Sequence, residues 1–233
     1  RDSELVEKVS FIMARELKNI GVDINFAPVM DRGDAKSFLE NRVWGNDPEQ
    51  ITQMTRAFLE GHLKGGTFPL PKHFPGHGTA AQQDAHFLMP VNYESKEELI
   101  KQDLQPFMMA MQDPRLGAMM TAHVEMAAFD RQPASLSKSV MSDFLRSELG
   151  YRGFLLSDDL EMGAVNNDTT STKDVGSIAI KSLKSGLDSV MIVWSLEDQK
   201  RVRDRLVSAM LDGELSMEEV DEKIARVQGL REK

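Results

Sequence analysis

The chain has 233 residues, 41% of them hydrophobic, enough for a sizeable core, and α/β barrels use roughly 200–250 residues as one domain. Its formal charge of −9 argues against non-specific nucleic-acid binding, which needs a basic surface. Without cysteine it has neither disulfides nor a thiolate zinc site, and no apolar run approaches the ~20 residues of a membrane span.

Arg1 opens directly into a helical pattern, as a cut or processed N-terminus would. Apolar residues at Leu5, Val6, Val9, Ile12, Met13, Leu17 and Ile20 carry helical spacing, and Gly21 ends it as a C′ glycine. Val22–Val29 reads as a short strand leading to Asp31. Asp47-Pro48-Glu49-Gln50 opens a helix that runs to about Lys64 and stops at Gly65-Gly66, with Asp as N-cap and Pro in the first turn. Thr67–His73 is a second strand, and Ser95-Lys96-Glu97-Glu98 is a capping box opening a helix through about Met111. Leu116–Ala122 is a third strand, Ser139–Leu149 a helix, and Gly153–Ser157 a fourth strand. A helix over Asp174–Ser185, a fifth strand over Ser189–Val193 and a last helix capped at Ser216 complete the pattern.

Short apolar strands separated by helices imply a parallel sheet covered on both faces, with active residues just past the strand C-termini. Asp31, Lys72, His73, His123, Glu125, Asp158 and Asp159 fall there. The expected fold is an α/β, (β/α)8 TIM-type barrel, a single catalytic domain over residues 1–233. With five βα units legible and eight needed for closure, the first two or three are expected to be absent from the chain.

The glycines and proline of Pro75-Gly76-His77-Gly78 let the backbone turn sharply near a ligand, and Thr79–Gln83 reads as a mobile loop. Asp84 and His86 stand two apart beyond it. An Asp beside a His orients the imidazole and favours its charged form, as an acid/base shuttle needs; the alternative is a pair of ordinary loop residues. Asp158 follows a buried strand, where a carboxylate can attack an anomeric carbon or simply cap the next segment. Spacing does not tell which of Asp158 and Asp159 faces a substrate.

These residues resemble the β-N-acetylglucosaminidases of glycoside hydrolase family 3. The resemblance runs through Ile24–Asp31, Asn41-Arg42, Asp47-Pro48, Lys72–Gly78, Asp84 with His86, Met120–His123 and Phe154–Ala164. It implies Asp158 as nucleophile, His86 as general acid/base with Asp84 as its partner, and Arg42, Lys72 and His73 as sugar ligands. His123 is expected either to line the site or to be a satisfied core histidine, His77 to shape its loop, and His62 to sit at the surface or in packing. The implied activity is removal of terminal N-acetylglucosamine, with retention, from peptidoglycan-derived or related glycans. No cofactor or metal is called for. A monomer is expected, in the cytoplasm or alternatively secreted or in the cell envelope. Three features depart from the family pattern: five residues, Thr79–Gln83, separate Gly78 from Asp84 where four are usual, Ala85 stands where Ser or Thr is usual, and no early Asp followed by Gln-Glu-Gly-Gly is present. Rival readings are a phosphorylase on the same site, a metal-dependent hydrolase using His73, His77 and His86, and an inactive glycan-binding fragment.

Overall fold

A computed structural model describes residues 2–33, 37–166 and 174–230; Arg1 lies outside them. Helix α1 (Ser3–Asn19) starts at Asp2, whose side chain accepts from the Leu5 amide, and packs along α2 (Pro48–Gly65), capped by Asp47 and ended at left-handed Gly66. The strands are β1 (Ile24–Asn25), β2 (Phe68–Pro69), β3 (Val91–Asn92), β4 (Ala118–Thr121), β5 (Glu125–Met126), β6 (Phe154–Asp159) and β7 (Ser189–Met191).

All ladders are parallel: β1 with β2, β3 with β5, and β4–β6–β7 in that order. Bridge Val29–Lys72 continues the β1–β2 pairing and bridge Phe74–Thr121 joins it to β4, so β1, β2, β4, β6 and β7 run in one parallel series. This is part of a TIM-type barrel. Alternate residues separate its faces, as the pleat requires. Phe68, Leu70, Ala118, Met120, Phe154 and Leu156 form one cluster with Ile24 and Met191, whereas Met119 and Leu155 turn into the larger core under the helices.

The expected eight-residue first strand is reduced to a two-residue ladder. Pro28 interrupts it, since proline has no N–H to donate, and pairing resumes at Val29. The expected helix from Ser95 is two helices, α3 (Lys96–Lys101) and α4 (Gln105–Ala110), with Pro106 in the first turn of the second. Instead of a free loop, Gly78–Gln82 make a 3-10 turn with Ala80 and Ala81 buried. The helix Ser139–Glu148 winds in π register. Strand β6 extends through Asp158 and Asp159 instead of ending at Ser157, and is followed by the one-turn α5 (Gly163–Asn166). Helix α6 (Val175–Ser185) is capped by Asp174. Helix α7 (Leu196–Leu211) lies outside the expected elements, although Ser195 caps it by accepting from the Asp198 amide. Helix α8 (Met217–Gly229) carries the expected capping box. Among the described residues no helix is long and apolar enough to cross a membrane.

Candidate active site

Asp31, which spacing placed at a strand end without a role, is the buried hub of the site. Its Oδ2 accepts from the His73 amide at 2.9 Å and faces His73 Nδ1 at 2.8 Å. Its Oδ1 does the same for His77, at 2.9 and 2.7 Å. Burial opposes the charge, but the two imidazoles and their hydrogen bonds outweigh it and hold the carboxyl well below the usual range. An ionised Asp31 makes both Nδ1 atoms donors. Four donors fill its two oxygens, so the cluster of Asp31, His73 and His77, whose ligand-type atoms lie within 4.8 Å, is a hydrogen-bonded unit in which no carboxylate lone pair is left for a cation.

Burial pushes the His73 imidazole down, against the pull of Asp31, which favours the neutral ring near neutral pH. With Nδ1–H given to Asp31, Nε2 carries the lone pair and points to Asp158, 4.0 Å from its Oδ2. Asp158 is the sequence-predicted nucleophile, and its side chain is 20% exposed. Burial raises its pKa, but the charges of His73 and His123 in their protonated forms, the Asp159 amide and Lys72 together bring it below the usual value. It is therefore a carboxylate at neutral pH, as a nucleophile must be. Asp159 points to the other side of the strand and is buried. Burial pushes its carboxyl up, and its Oδ2 has no hydrogen-bond partner among the described residues. The pleat thus separates two adjacent aspartates that spacing alone left equivalent, and it places on the site side the one that the family resemblance implied.

Burial depresses the Lys72 ammonium, while Asp158 pulls it back up and Arg42 pushes it further down. Arg42 is exposed, within electrostatic reach of Lys72, and its side chain forms no hydrogen bond or ion pair among the described residues. His123 is buried, with Nδ1 2.6 Å from Ser135 Oγ and Nε2 3.0 Å from the Asp159 carbonyl oxygen. Both ring nitrogens are spent inside the protein, so it offers none to a substrate. His62 is packing: it is buried and stacks on Phe58 with centroids 4.0 Å apart. Its Nε2 lies 2.9 Å from Asn25 Nδ2, and burial takes its pKa down to about 4.

Asp84 and His86 are joined by a direct hydrogen bond. His86 Nδ1 lies 2.6 Å from Asp84 Oδ1, and the His86 amide donates to the same oxygen at 3.0 Å. Burial raises the Asp84 carboxyl, but these two bonds and the imidazole charge bring it below its usual value. Ionised Asp84 accepts the hydrogen bond from Nδ1–H, which leaves Nε2 as the proton-exchanging nitrogen of the exposed ring. Sequence reasoning missed Glu161. Its carboxylate accepts from the amides of Val193, Trp194 and Ser195 at 2.6–2.9 Å, tying the segment after β7 to the one after β6. Its position just beyond the paired aspartates was the only sign.

The family model described as glycosyl hydrolase family 3 N terminal domain matches residues 1–230. A protein named beta-hexosaminidase from Idiomarina loihiensis is 35% identical over 184 residues, 79% of this chain and 54% of that protein. Another of that name, from Pseudomonas aeruginosa, is 38% identical over 164 residues, covering 70% and 48%. The structure of a glycoside hydrolase family 3 beta-N-acetylglucosaminidase from Paenibacillus sp. superposes with a TM-score of 0.92 at 31% identity, over 99% of this chain and 44% of that one. The chain spans about half the length of the curated relatives it matches. It belongs to glycosyl hydrolase family 3 and carries that family's N terminal domain.

Proposed function

We propose that this protein is a retaining exo-β-N-acetylglucosaminidase that releases terminal N-acetylglucosamine from peptidoglycan-derived or related glycans. The observation that carries this reading is the ionised Asp158, beside His73 and Lys72 and on the chain segment that meets the His86–Asp84 pair. Asp158 attacks the anomeric carbon while protonated His86 gives its Nε2 proton to the departing glycosidic oxygen. Neutral His86 then takes a proton from water, whose oxygen displaces Asp158 and frees the sugar with its anomeric configuration retained. Lys72 and Arg42 supply charge-assisted donors to sugar oxygens. His73 Nε2 accepts from a sugar hydroxyl, its tautomer set by Asp31. His123 is assigned no direct contact; it holds the end of β6 through the Asp159 carbonyl.

The protein is expected to turn over a chromogenic N-acetylglucosaminide and to release the β-anomer first, as proton NMR of the early product reads. Asp158→Asn removes the nucleophile but keeps the volume. Its turnover falls by on the order of 1,000-fold or more, while the Kd for N-acetylglucosamine changes less than about tenfold. Unchanged turnover in this variant removes the nucleophile assignment.

A further inference from the structure

We infer that Gly163 is a positioning residue whose close backbone contact with His86 and Phe87 sets where the proton-transferring pair stands relative to Asp158. This deepens the reading above and rests on its assignment of Asp158 and His86.

Asp158 and His86 are far apart in sequence, and His86 sits on an exposed turn closed by the Phe87 amide donating to the Asp84 carbonyl at 3.0 Å. What ties that turn to the nucleophile strand is the segment only a few residues beyond Asp158. The Gly163 amide donates to the His86 carbonyl at 3.0 Å, and the Ala164 amide donates to the Ala85 carbonyl at 3.0 Å. Between them the Ala85 methyl is buried against Met162, Ala164 and Met89. The methyl at position 85, a departure from the family pattern, thus has a place: it fills the apolar seat of this clamp. The Met162 amide in turn donates to the Asp159 carbonyl at 3.1 Å, so the path from nucleophile to acid/base is short and hydrogen-bonded throughout.

Gly163 is required by distance, not by its own conformation, because its φ lies outside the left-handed region. A Cβ there would meet the Phe87 carbonyl oxygen at 2.4 Å, the Phe87 carbonyl carbon at 2.6 Å and the His86 oxygen at 2.8 Å. These are backbone atoms, so no rotamer change relieves the clash and the dyad turn itself must move. Alanine is otherwise the better residue at the start of a helix. The Asp84–His86 hydrogen bonds lie within the turn and travel with it. Gly163→Ala therefore displaces an intact pair.

The experiment compares kcat/KM, which reports the first chemical step, for a glycoside with an excellent leaving group and for a natural disaccharide with a poor one. His86→Ala serves as reference, with a loss of about 100–10,000-fold on the disaccharide and little on the activated glycoside. Gly163→Ala is expected to lose about 10–100-fold on the disaccharide, as a displacement near 1 Å would, and less than about threefold on the activated substrate. Placed in the His86→Ala background, Gly163→Ala adds no further loss, because the group it positions is gone. Equal losses on both substrates, no loss on either, or an additive loss in the double variant overturns the proposal. Met162→Ala, which empties the seat of Ala85 without the clash, shows the same leaving-group dependence at smaller size and decides the matter should Gly163→Ala fail to fold; equal or absent losses there also overturn it. If His86→Ala itself lacks leaving-group dependence, the acid/base assignment fails, an outcome distinct from failure of the clamp.

Discussion

Asp31 gathers donors from residues 42 and 46 positions further along the chain. An asparagine keeps one acceptor oxygen and presents an NH2 group to donors that need a lone pair. Hydrogen bonds to a charged group contribute about 1.5–3 kcal/mol each, so Asp31→Asn is expected to lose about 3 kcal/mol or more at pH 7. The native carboxyl is held well below its ordinary value. Its stabilisation is therefore complete above the unfolded value of about 4 and fades as pH falls below that. Urea unfolding should show the gap between wild type and variant narrowing from pH 5 to pH 3, and a gap that stays constant contradicts the assignment. The sequence placed Asp31 at a strand end and placed Lys72, His73 and Asp158 near it. Nothing local disclosed that one carboxylate orients both histidines, because that depends on where Lys72–Gly78 returns beside β1.

The break between α3 and α4 shows what a periodic pattern hides. The apolar spacing from Ser95 reads as one helix, but Pro106 has no amide for the preceding turn, and the chain kinks at Gln102–Leu104. That kink buries Asp103 beneath Gly78, where a Cβ would lie 1.8 Å from Asp103 Oδ2. Arg32 Nη1 lies 3.0 Å from Oδ1 and Asn92 Nδ2 lies 3.1 Å from Oδ2. Burial and neighbouring Glu94 push this carboxyl up to about 7, against the pull of Arg32 and Asn92. The folded protein therefore holds a proton between about pH 4 and 7 that the unfolded chain has released, and stability falls as pH rises through that window. Asp103→Asn removes the dependence. Relative to wild type, its stability should rise by about 2–4 kcal/mol between pH 4 and pH 8, since each pKa unit corresponds to about 1.4 kcal/mol. Thermal melts at the two pH values measure it, and a constant offset would speak against the buried proton. Helix α7 is the opposite case: its Ser195 cap was legible, but its many charges obscured the apolar stripe.

At the scale of the whole molecule, parallel strands bring the chemistry to one end while an ionic knot secures the last helix. Helix α8 has no fully buried residue. It is held by Arg226, whose Nη1 lies 2.8 Å from Asp188 Oδ1, and by Lys223, which donates to the carbonyls of Leu183 and Leu187 at 3.1 and 2.8 Å. Asp188 Oδ2 also accepts from Arg146 at 2.7 Å and from the Leu155 amide at 2.8 Å. Asp188→Ala leaves two guanidinium groups without their shared carboxylate, at a cost of about 3–5 kcal/mol. Hydrogen exchange should then show α8 amides losing protection before those of β4 and β6. Unchanged protection of α8 would show that its partly buried Val227 and the following Leu230, packed on the sheet cluster, suffice.

By itself the sequence determined the helix caps, the apolar strand cores, the family motif and the gathering of polar residues at strand ends. Those signals act within a few residues, where periodicity and capping chemistry operate. Tertiary structure alone decided that Asp31 governs two histidines, that His123 is spent internally, and that the His86 turn rests on Gly163, and it supplied the geometry behind the choice of Asp158 over Asp159 that the family motif implied. Each of these depends on which distant segments the fold brings within hydrogen-bond distance and on which charges burial leaves facing one another, and spacing along a chain carries no measure of either.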